Sequence, residues 1–252
     1  VSRRSPTAVH YAFTSAATAS GWAQTMNKKT TLSLAEASVV TAICFGLFIL
    51  GSFQAVLAEF PDANFSDGTN WRMVGIELAL ASVALLYLRS RKFDLEPLYP
   101  HPTLRGTGIG VGLFLACWFA GAIVTSVLNV ANASDVVGFN FDGVSLILSV
   151  ELGRSALPST SMASRIALAM VNGTFEEVFL LGVLVRGLRG FGLSVAVGLP
   201  LLARVMYHLY QGPMGVVWVT TVGLLLTLAY LWRKDLWPPV FAHVLWDIVP
   251  TL

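Results

Sequence analysis

The sequence predicts an all-α polytopic membrane protein of about seven transmembrane helices, with the candidate active-site residues in the C-terminal four. Of the 252 residues, 55% are hydrophobic and only 12% are charged, whereas soluble domains carry about 25% charged residues. The mean hydropathy is +0.70, and the apolar residues fall in long blocks. A chain with so few charges cannot cover a soluble surface, so these observations exclude an ordinary soluble domain.

Seven apolar blocks account for the predicted helices. A membrane-spanning helix needs about 20 apolar residues, and the first, third, fourth and sixth blocks satisfy this length. The other three are shorter or more interrupted, and a further run at 144–150 is too short to span and is expected to lie at the interface or to re-enter. The seven blocks are 35–57, 73–88, 106–130, 166–188, 193–209, 215–232 and 237–252.

Basic residues predict the orientation of these spans, because loops on the cytoplasmic side are rich in Lys and Arg. Such residues cluster in the N-terminal arm and in the connections after the second, fourth and sixth blocks, whereas the alternate connections are richer in acid. The pattern predicts a cytoplasmic N-terminus, and we expect a multi-pass protein of a bacterial inner or plasma membrane. The arm itself, 1–34, is expected to be disordered, with Met26 as a plausible alternative start.

Several functional classes receive no support from the composition. The net charge of +2 and the lack of a basic cluster with interleaved aromatic residues argue against a nucleic-acid partner. Cys44 and Cys117 fall inside apolar blocks without CxxC or CxxH spacing, so they are interpreted as buried small hydrophobic residues rather than disulfide or metal ligands. No internal repeat is visible, which weakens a transporter built from duplicated halves.

Glu176 and Glu177 are two adjacent acids inside the fourth apolar block. An ionised carboxylate at the centre of a bilayer costs about 2.5–3.5 kcal/mol on insertion scales. Such residues usually face a protein interior and have partners there. Neighbouring residues lie about 100° apart around a helix, so we expect one glutamate to face a shared cavity and the other to pair elsewhere.

Two further helices present polar pairs at a spacing of four residues, which places both members on one face. Arg204 and His208 form the first pair, and His243 and Asp247 form the second. Hydrolysis needs a water, a base and donors for the developing oxyanion, and a partly shielded carboxylate with imidazoles can supply them. The plainer interpretation is interhelical hydrogen bonding, worth about 0.6 kcal/mol for each contact.

These motifs resemble the CAAX-protease and bacteriocin-processing family of intramembrane glutamic endopeptidases, also called the Abi family. The family has Glu-Glu-x-x-x-Arg on one helix, Phe-x-x-x-His on the next and a later His-x-x-x-Asn or Asp. The matching segments here are 176–181, 204–208 and 243–247. The resemblance implies a catalytic helical core at 161–252, a variable transmembrane half at 35–160 and the arm at 1–34.

The resemblance also implies roles for individual residues. Glu176 and His208 would activate the attacking water, and Glu177 would be a second, supporting acid. His243 and Asp247 would stabilise the oxyanion or position the substrate. Asp247 could donate only if it were protonated, and an ionised Asp247 would instead orient His243.

Two positions depart from the family pattern. Leu181 stands where the motif has arginine, and Arg204 stands where it has phenylalanine. We expect these changes to compensate, with Arg204 supplying the guanidinium that Glu177 needs. Arg186 is a poorer candidate, because nine residues from Glu177 place it on nearly the opposite helix face.

The sequence therefore predicts a metal-independent intramembrane protease, without a cofactor, that cleaves a peptide or membrane-protein substrate in the bilayer. A metal site ranks lower, because HExxH spacing is absent and the ligands would come from three helices. One alternative is a catalytically inactive membrane scaffold or immunity protein of the same fold. A second is a proton- or ion-coupled carrier that uses the same acids, and the oligomeric state stays open.

Overall fold

Seven α-helices make up the fold of the residues that the computed structural model describes, 28–60, 66–132 and 160–249. Each predicted apolar block corresponds to one helix, and no strand occurs in the described ranges, so the all-α prediction is confirmed. The run at 144–150 lies outside the described residues. The helices are α1 Leu34–Leu57, α2 Asp67–Ser90, α3 Leu104–Asn132, α4 Met162–Val185, α5 Leu193–His208, α6 Gly212–Arg233 and α7 Trp237–Ile248.

Five segments of the described chain are long and apolar enough to cross a membrane. Helices α1 to α4 are four of them, and the fifth, Leu193–Arg233, contains both α5 and α6. A 3₁₀ turn at Leu209–Gln211 separates these two helices, which pack against each other. Helix α7 has 12 residues, about 18 Å, and is shorter than the hydrocarbon core of about 30 Å. The chain is therefore an integral, polytopic helical membrane protein.

Helix α4 is the central element of the bundle. Within its apolar window 72% of the residues are buried, against 17–28% in the other four candidate spans. Helices α2 and α7 pack on its first half and α5 packs on its second half. That second half, Val178–Val185, is π-helical, and π segments often occur at functional sites. Because protein surrounds α4 so closely, the polar residues of this helix face other helices.

The Lys/Arg-rich connections meet at one end of the bundle, which we call the basic end. Lys29 forms an isolated bridge with Phe93 after α2, and the Leu32 amide donates to the Gly187 carbonyl after α4 at 2.8 Å. Trp237, at the start of α7, donates from its indole to Thr107 near the start of α3 at 2.9 Å. The basic connections therefore lie together at one end of the bundle, as their alternation with the acidic connections predicts. The side of the bilayer that this end faces stays a prediction.

Residues 28–33 correct the expectation of a disordered arm. Leu32 is buried beside Gly187, and Ser33 caps α1 in a reciprocal capping box with Glu36. Glu36 also forms ion pairs with Lys29 and Arg91. One leucine in a Ser/Thr-rich stretch gives little sequence signal, but here it fills a gap between helix ends. The prediction is wrong for this part of the arm, and 1–27 lie outside the described residues.

Candidate functional site

Glu177 is the most enclosed polar residue of the site, with no exposed surface. Its Oε1 accepts hydrogen bonds from Arg204 Nη2 of α5 and from His243 Nδ1 of α7, both at 2.6 Å. The predicted contact between Arg204 and Glu177 is therefore confirmed. Charge-assisted bonds of this kind are among the stronger hydrogen bonds in proteins, so α4, α5 and α7 are tied together at this carboxylate.

The local packing explains how Arg204 reaches Glu177 in place of an arginine on α4 itself. Leu181 is 1% exposed and packs in an apolar cluster with Val222 and Leu226 of α6. Gly223 makes room for Arg204, because a Cβ at this glycine would lie 2.7 Å from Arg204 Cδ. An apolar side chain, Leu181, thus fills the position of the motif arginine, and Arg204 of α5 supplies the guanidinium instead.

Arg186 has partners outside the site, as expected from its helix face. Its guanidinium donates to the Asp94 carbonyl and lies over the Phe93 ring, 4.6 Å from the ring centroid. Both partners belong to the connection after α2. Arg186 therefore fastens the basic end and leaves Arg204 as the partner of Glu177.

Glu176 faces the same imidazole as Glu177. Its Oε2 accepts a hydrogen bond from the Tyr207 hydroxyl and lies 4.0 Å from His243 Nε2. The expectation that the two glutamates would separate is wrong, because His243 enters from α7 and reaches both acids with its two ring nitrogens. The side chains of Glu176 and Glu177 leave α4 in different directions. The His243 ring lies between their carboxylates and approaches one with each ring nitrogen.

No hydrogen bond or ion pair joins His208 to Glu176 in the described structure, although His208 was the expected partner of that glutamate. Its Nδ1 bonds to the Arg204 carbonyl at 3.0 Å, and its ring packs on Tyr207 at a centroid distance of 4.4 Å. A carbonyl can only accept, so Nδ1 carries the proton and a neutral His208 has its lone pair on Nε2. Tyr207, held against Phe45 of α1 by ring stacking, takes the place next to Glu176.

Asp247 and Asn172 extend the site along α7 and α4. Asp247 Oδ1 lies 3.7 Å from His243 Nε2, and its Oδ2 accepts a hydrogen bond from Asn172 Nδ2 at 3.0 Å. Asp247 therefore acts as an acceptor that orients its neighbours. Sequence analysis missed Asn172, although its position four residues before Glu176 places both on one helix face.

Glu77 of α2 is the second site residue that sequence analysis missed. It is only 3% exposed, and the charged groups that act on it are Glu176, Asp247 and His243. Sequence analysis placed the candidate active-site residues in the C-terminal four helices, and Glu77 lies outside them. A lone acid amid apolar neighbours in a spanning helix is itself a signal of function, and that signal could have identified Glu77.

Three residues of the site could together bind a metal ion. Donor atoms of Glu176, Glu177 and His243 all lie within 4.8 Å of one another. Carboxylates and imidazoles bind zinc, and three protein ligands with one open position are typical of catalytic zinc sites. However, the Arg204 guanidinium already occupies Glu177 Oε1 at 2.6 Å, and a metal ion there would face a positive charge. The donor set fits a metal, but the charge distribution opposes it.

The fold is that of an integral helical membrane protein, and a Glu/His cluster is buried inside its helical bundle. Residues 158–249 match the family model described as type II CAAX prenyl endopeptidase, Rce1-like. The match confirms the resemblance that the motifs indicate, and it covers the helices from α4 to α7. No curated protein and no solved structure matches the chain. The matched C-terminal segment is therefore similar to CAAX-type proteases.

Gly173 sets the distance between α4 and α7, on which the position of His243 depends. A Cβ at Gly173 would lie 3.1 Å from the Val244 backbone nitrogen. We expect Gly173→Val to push α7 outward, to cost about 1–3 kcal/mol of stability and to lower kcat about 10²-fold through misplacement of His243. Peptide cleavage and thermal unfolding in detergent measure both effects.

Gly112→Val is the matched control, because nothing lies within 4 Å of a Cβ at Gly112 on α3. It should leave both the kcat and the unfolding temperature close to those of the wild type. An unchanged kcat in Gly173→Val would show that the spacing of α4 and α7 does not position the site.

Proposed function

We propose that this protein hydrolyses a peptide bond in a membrane-associated or peptide substrate, with a water activated by Glu176 and His208 and without a metal. The observation that carries the proposal is the convergence of Glu176, Glu177 and His243 inside the bundle. These residues come from helices in the segment that matches the CAAX-protease family model. An array of buried acids around one imidazole is more than interhelical packing requires.

In the proposed reaction, Glu176 is the general base. It takes a proton from the water while the water oxygen attacks the scissile carbonyl and forms a tetrahedral intermediate. His208 Nε2, the nitrogen left with the lone pair, accepts the second hydrogen bond of that water. When the C–N bond breaks, the proton held by Glu176 passes to the leaving amine, which restores the carboxylate. A positioned base of this kind contributes about 10²–10⁴-fold to a rate.

His243 is the proposed donor to the oxyanion. Its Nδ1 is fixed by Glu177, which is fixed in turn by Arg204, so its Nε2 is directed toward Glu176 and Asp247. Three carboxylates surround the ring and stabilise its doubly protonated form, whose Nε2–H can donate to the oxyanion. Glu177 and Arg204 are positioning residues in this scheme, because they act through His243.

A metal-assisted hydrolysis is the second candidate, favoured by the donor distances among Glu176, Glu177 and His243. In that case the metal would polarise the carbonyl and lower the pKa of its bound water. The guanidinium on Glu177 is the reason that we rank it second. The two mechanisms differ in their response to chelators, which gives a direct test.

The test uses the full chain in lipid nanodiscs with a quenched fluorescent peptide that ends in a CAAX-type sequence, offered with and without a prenyl group. We expect a single cleavage, located by mass spectrometry, at the same rate after treatment with EDTA or 1,10-phenanthroline. Loss of cleavage with chelator and its recovery with Zn²⁺ would replace the metal-free mechanism by the metal-assisted one. A folded protein that cleaves neither peptide would instead support the inactive scaffold.

A further inference from the structure

Glu77 is a buried acid for which the proposed reaction has no role so far. It lies on α2 and is 3% exposed, and its Oε2 has no hydrogen-bond partner in the described part of the chain. Glu177 Oε2 is also unpartnered among the described residues, but each of the other buried acids of the site has at least one bonded oxygen. The partners are Tyr207 for Glu176, Arg204 and His243 for Glu177, and Asn172 for Asp247. A buried polar atom without a partner requires an explanation.

The surroundings of Glu77 come from two other helices. Helix α2 packs against the half of α4 that carries Glu176, and the charged groups that act on Glu77 are Glu176 of α4 and Asp247 and His243 of α7. Two of these three groups are carboxyls, and the guanidinium of the site is occupied by Glu177. The His243 imidazolium is already shared by Glu176, Glu177 and Asp247, so a carboxylate at Glu77 would be buried without a cation of its own and would be repelled by the other acids. Such a group takes up a proton instead of remaining charged, and a neutral carboxylic acid can donate a hydrogen bond.

The proposed reaction needs a second donor where the oxyanion forms. His243 supplies one, whereas both oxygens of Asp247 already have neighbours: Oδ2 accepts from Asn172 and Oδ1 lies 3.7 Å from His243 Nε2. The three groups that act on Glu77 are those that surround the scissile carbonyl in the proposed reaction. Glu77 is therefore the buried acid of α2 that is electrostatically linked to these groups.

We propose that Glu77 is a catalytic residue, a neutral carboxylic acid contributed by α2 that donates a hydrogen bond to the oxyanion of the tetrahedral intermediate. The inference rests on the proposed function and adds one residue, Glu77 of α2, to the proposed catalytic residues. The proton stays on Glu77 throughout, so the proton transfer between water, Glu176 and the leaving amine is unchanged.

Two variants of Glu77 test the donor role in the nanodisc peptide assay. Glu77→Leu removes the donor, and we expect kcat to fall about 10²–10³-fold with little change in KM, because the bond forms mainly in the transition state. Glu77→Gln keeps an N–H donor of similar size, and we expect it to recover kcat to within about tenfold of the wild type. Equal losses in both variants would overturn the proposal, because they would show that the ionised carboxylate is required.

Asn70→Leu is the matched control for the removal of a buried polar side chain from α2. Asn70 lies seven residues before Glu77 on the same face, is also 3% exposed and donates to Ser164 of α4 at 3.1 Å. The Ser164 hydroxyl in turn donates to Asp67, which is not one of the site acids. We expect it to lower the unfolding temperature and to leave kcat close to that of the wild type. A loss of kcat equal to that of Glu77→Leu would reduce Glu77 to a packing role and overturn the proposal.

Difference infrared spectroscopy tests the proton on Glu77 without any cleavage. The wild type minus Glu77→Gln spectrum should contain the C=O stretching band of a protonated carboxylic acid. Carboxylate bands alone would overturn the proposal even in an active enzyme. If the band is present but the wild type cleaves no peptide, the proposed function fails and the donor role fails with it, whereas the protonation of Glu77 stands.

Discussion

Replacement of Glu176 by glutamine is expected to abolish peptide cleavage while the protein still inserts and folds. The amide cannot take a proton from the attacking water, and the loss of a positioned general base lowers kcat by about 10²–10⁴-fold. Glutamine keeps the size of the side chain and can still accept the hydrogen bond from Tyr207. The change should therefore appear in kcat, measured in nanodiscs, and hardly in the unfolding temperature.

Glu36→Gln is the matched control for this variant. Glu36 is also a buried acid, 4% exposed, but it lies at the basic end and pairs with Lys29 and Arg91. Its replacement should lower stability and leave kcat unchanged. Cleavage by Glu176→Gln at the wild-type rate would remove Glu176 as the base and would contradict the proposed reaction.

Replacement of Arg204 by methionine is expected to have the largest effect on stability. It leaves the carboxylate of Glu177 buried without its cation, and breaking a buried ion pair from one side costs about 3–5 kcal/mol. His243 would lose the fixed acceptor that orients its ring, so kcat should fall as well. Steric trapping or thermal unfolding in detergent measures the first effect, and the peptide assay measures the second.

The double variant Arg204→Met with Glu177→Gln separates the ion pair from the rest of the side chain. It removes both charges, so its loss of stability should be smaller than the sum of the two single losses, and a coupling free energy of about 0.5–3 kcal/mol is typical of residues in contact. Additive losses would mean that the contact between Arg204 and Glu177 contributes nothing to the free energy of unfolding.

The helices and one ion pair of this protein could be predicted from its sequence. The length of an apolar block is a local property, so all seven blocks correspond to helices in the structure. The pairing of Arg204 with Glu177 follows from a simple requirement, because a buried acid needs a cation and few cations stand inside apolar blocks. Leu181 indicated that this cation had to come from another helix.

The partners of Glu176 could not be predicted in the same way. Tyr207 and His208 are neighbours on α5, and which of them faces Glu176 depends on the rotation of α5 against α4. That rotation is set by packing, here by Phe45 stacked on Tyr207. Glu77 could have been noticed as a lone acid in an apolar span, but its relation to the site depends on the packing of α2 against α4.

The π-helical half of α4 should allow this helix to tolerate the deletion of one residue. Hydrogen bonds from residue i to i+5 fit one more residue into each turn than the α-helical i to i+4 bonds. The stretch Val178–Val185 therefore holds surplus chain between Glu177 and Arg186. A single-residue deletion there can be absorbed by a return to α-helical bonding, with the acids on one side and the basic end on the other keeping their orientations. The same deletion in α6, which is α-helical throughout, would rotate everything beyond it by about 100°.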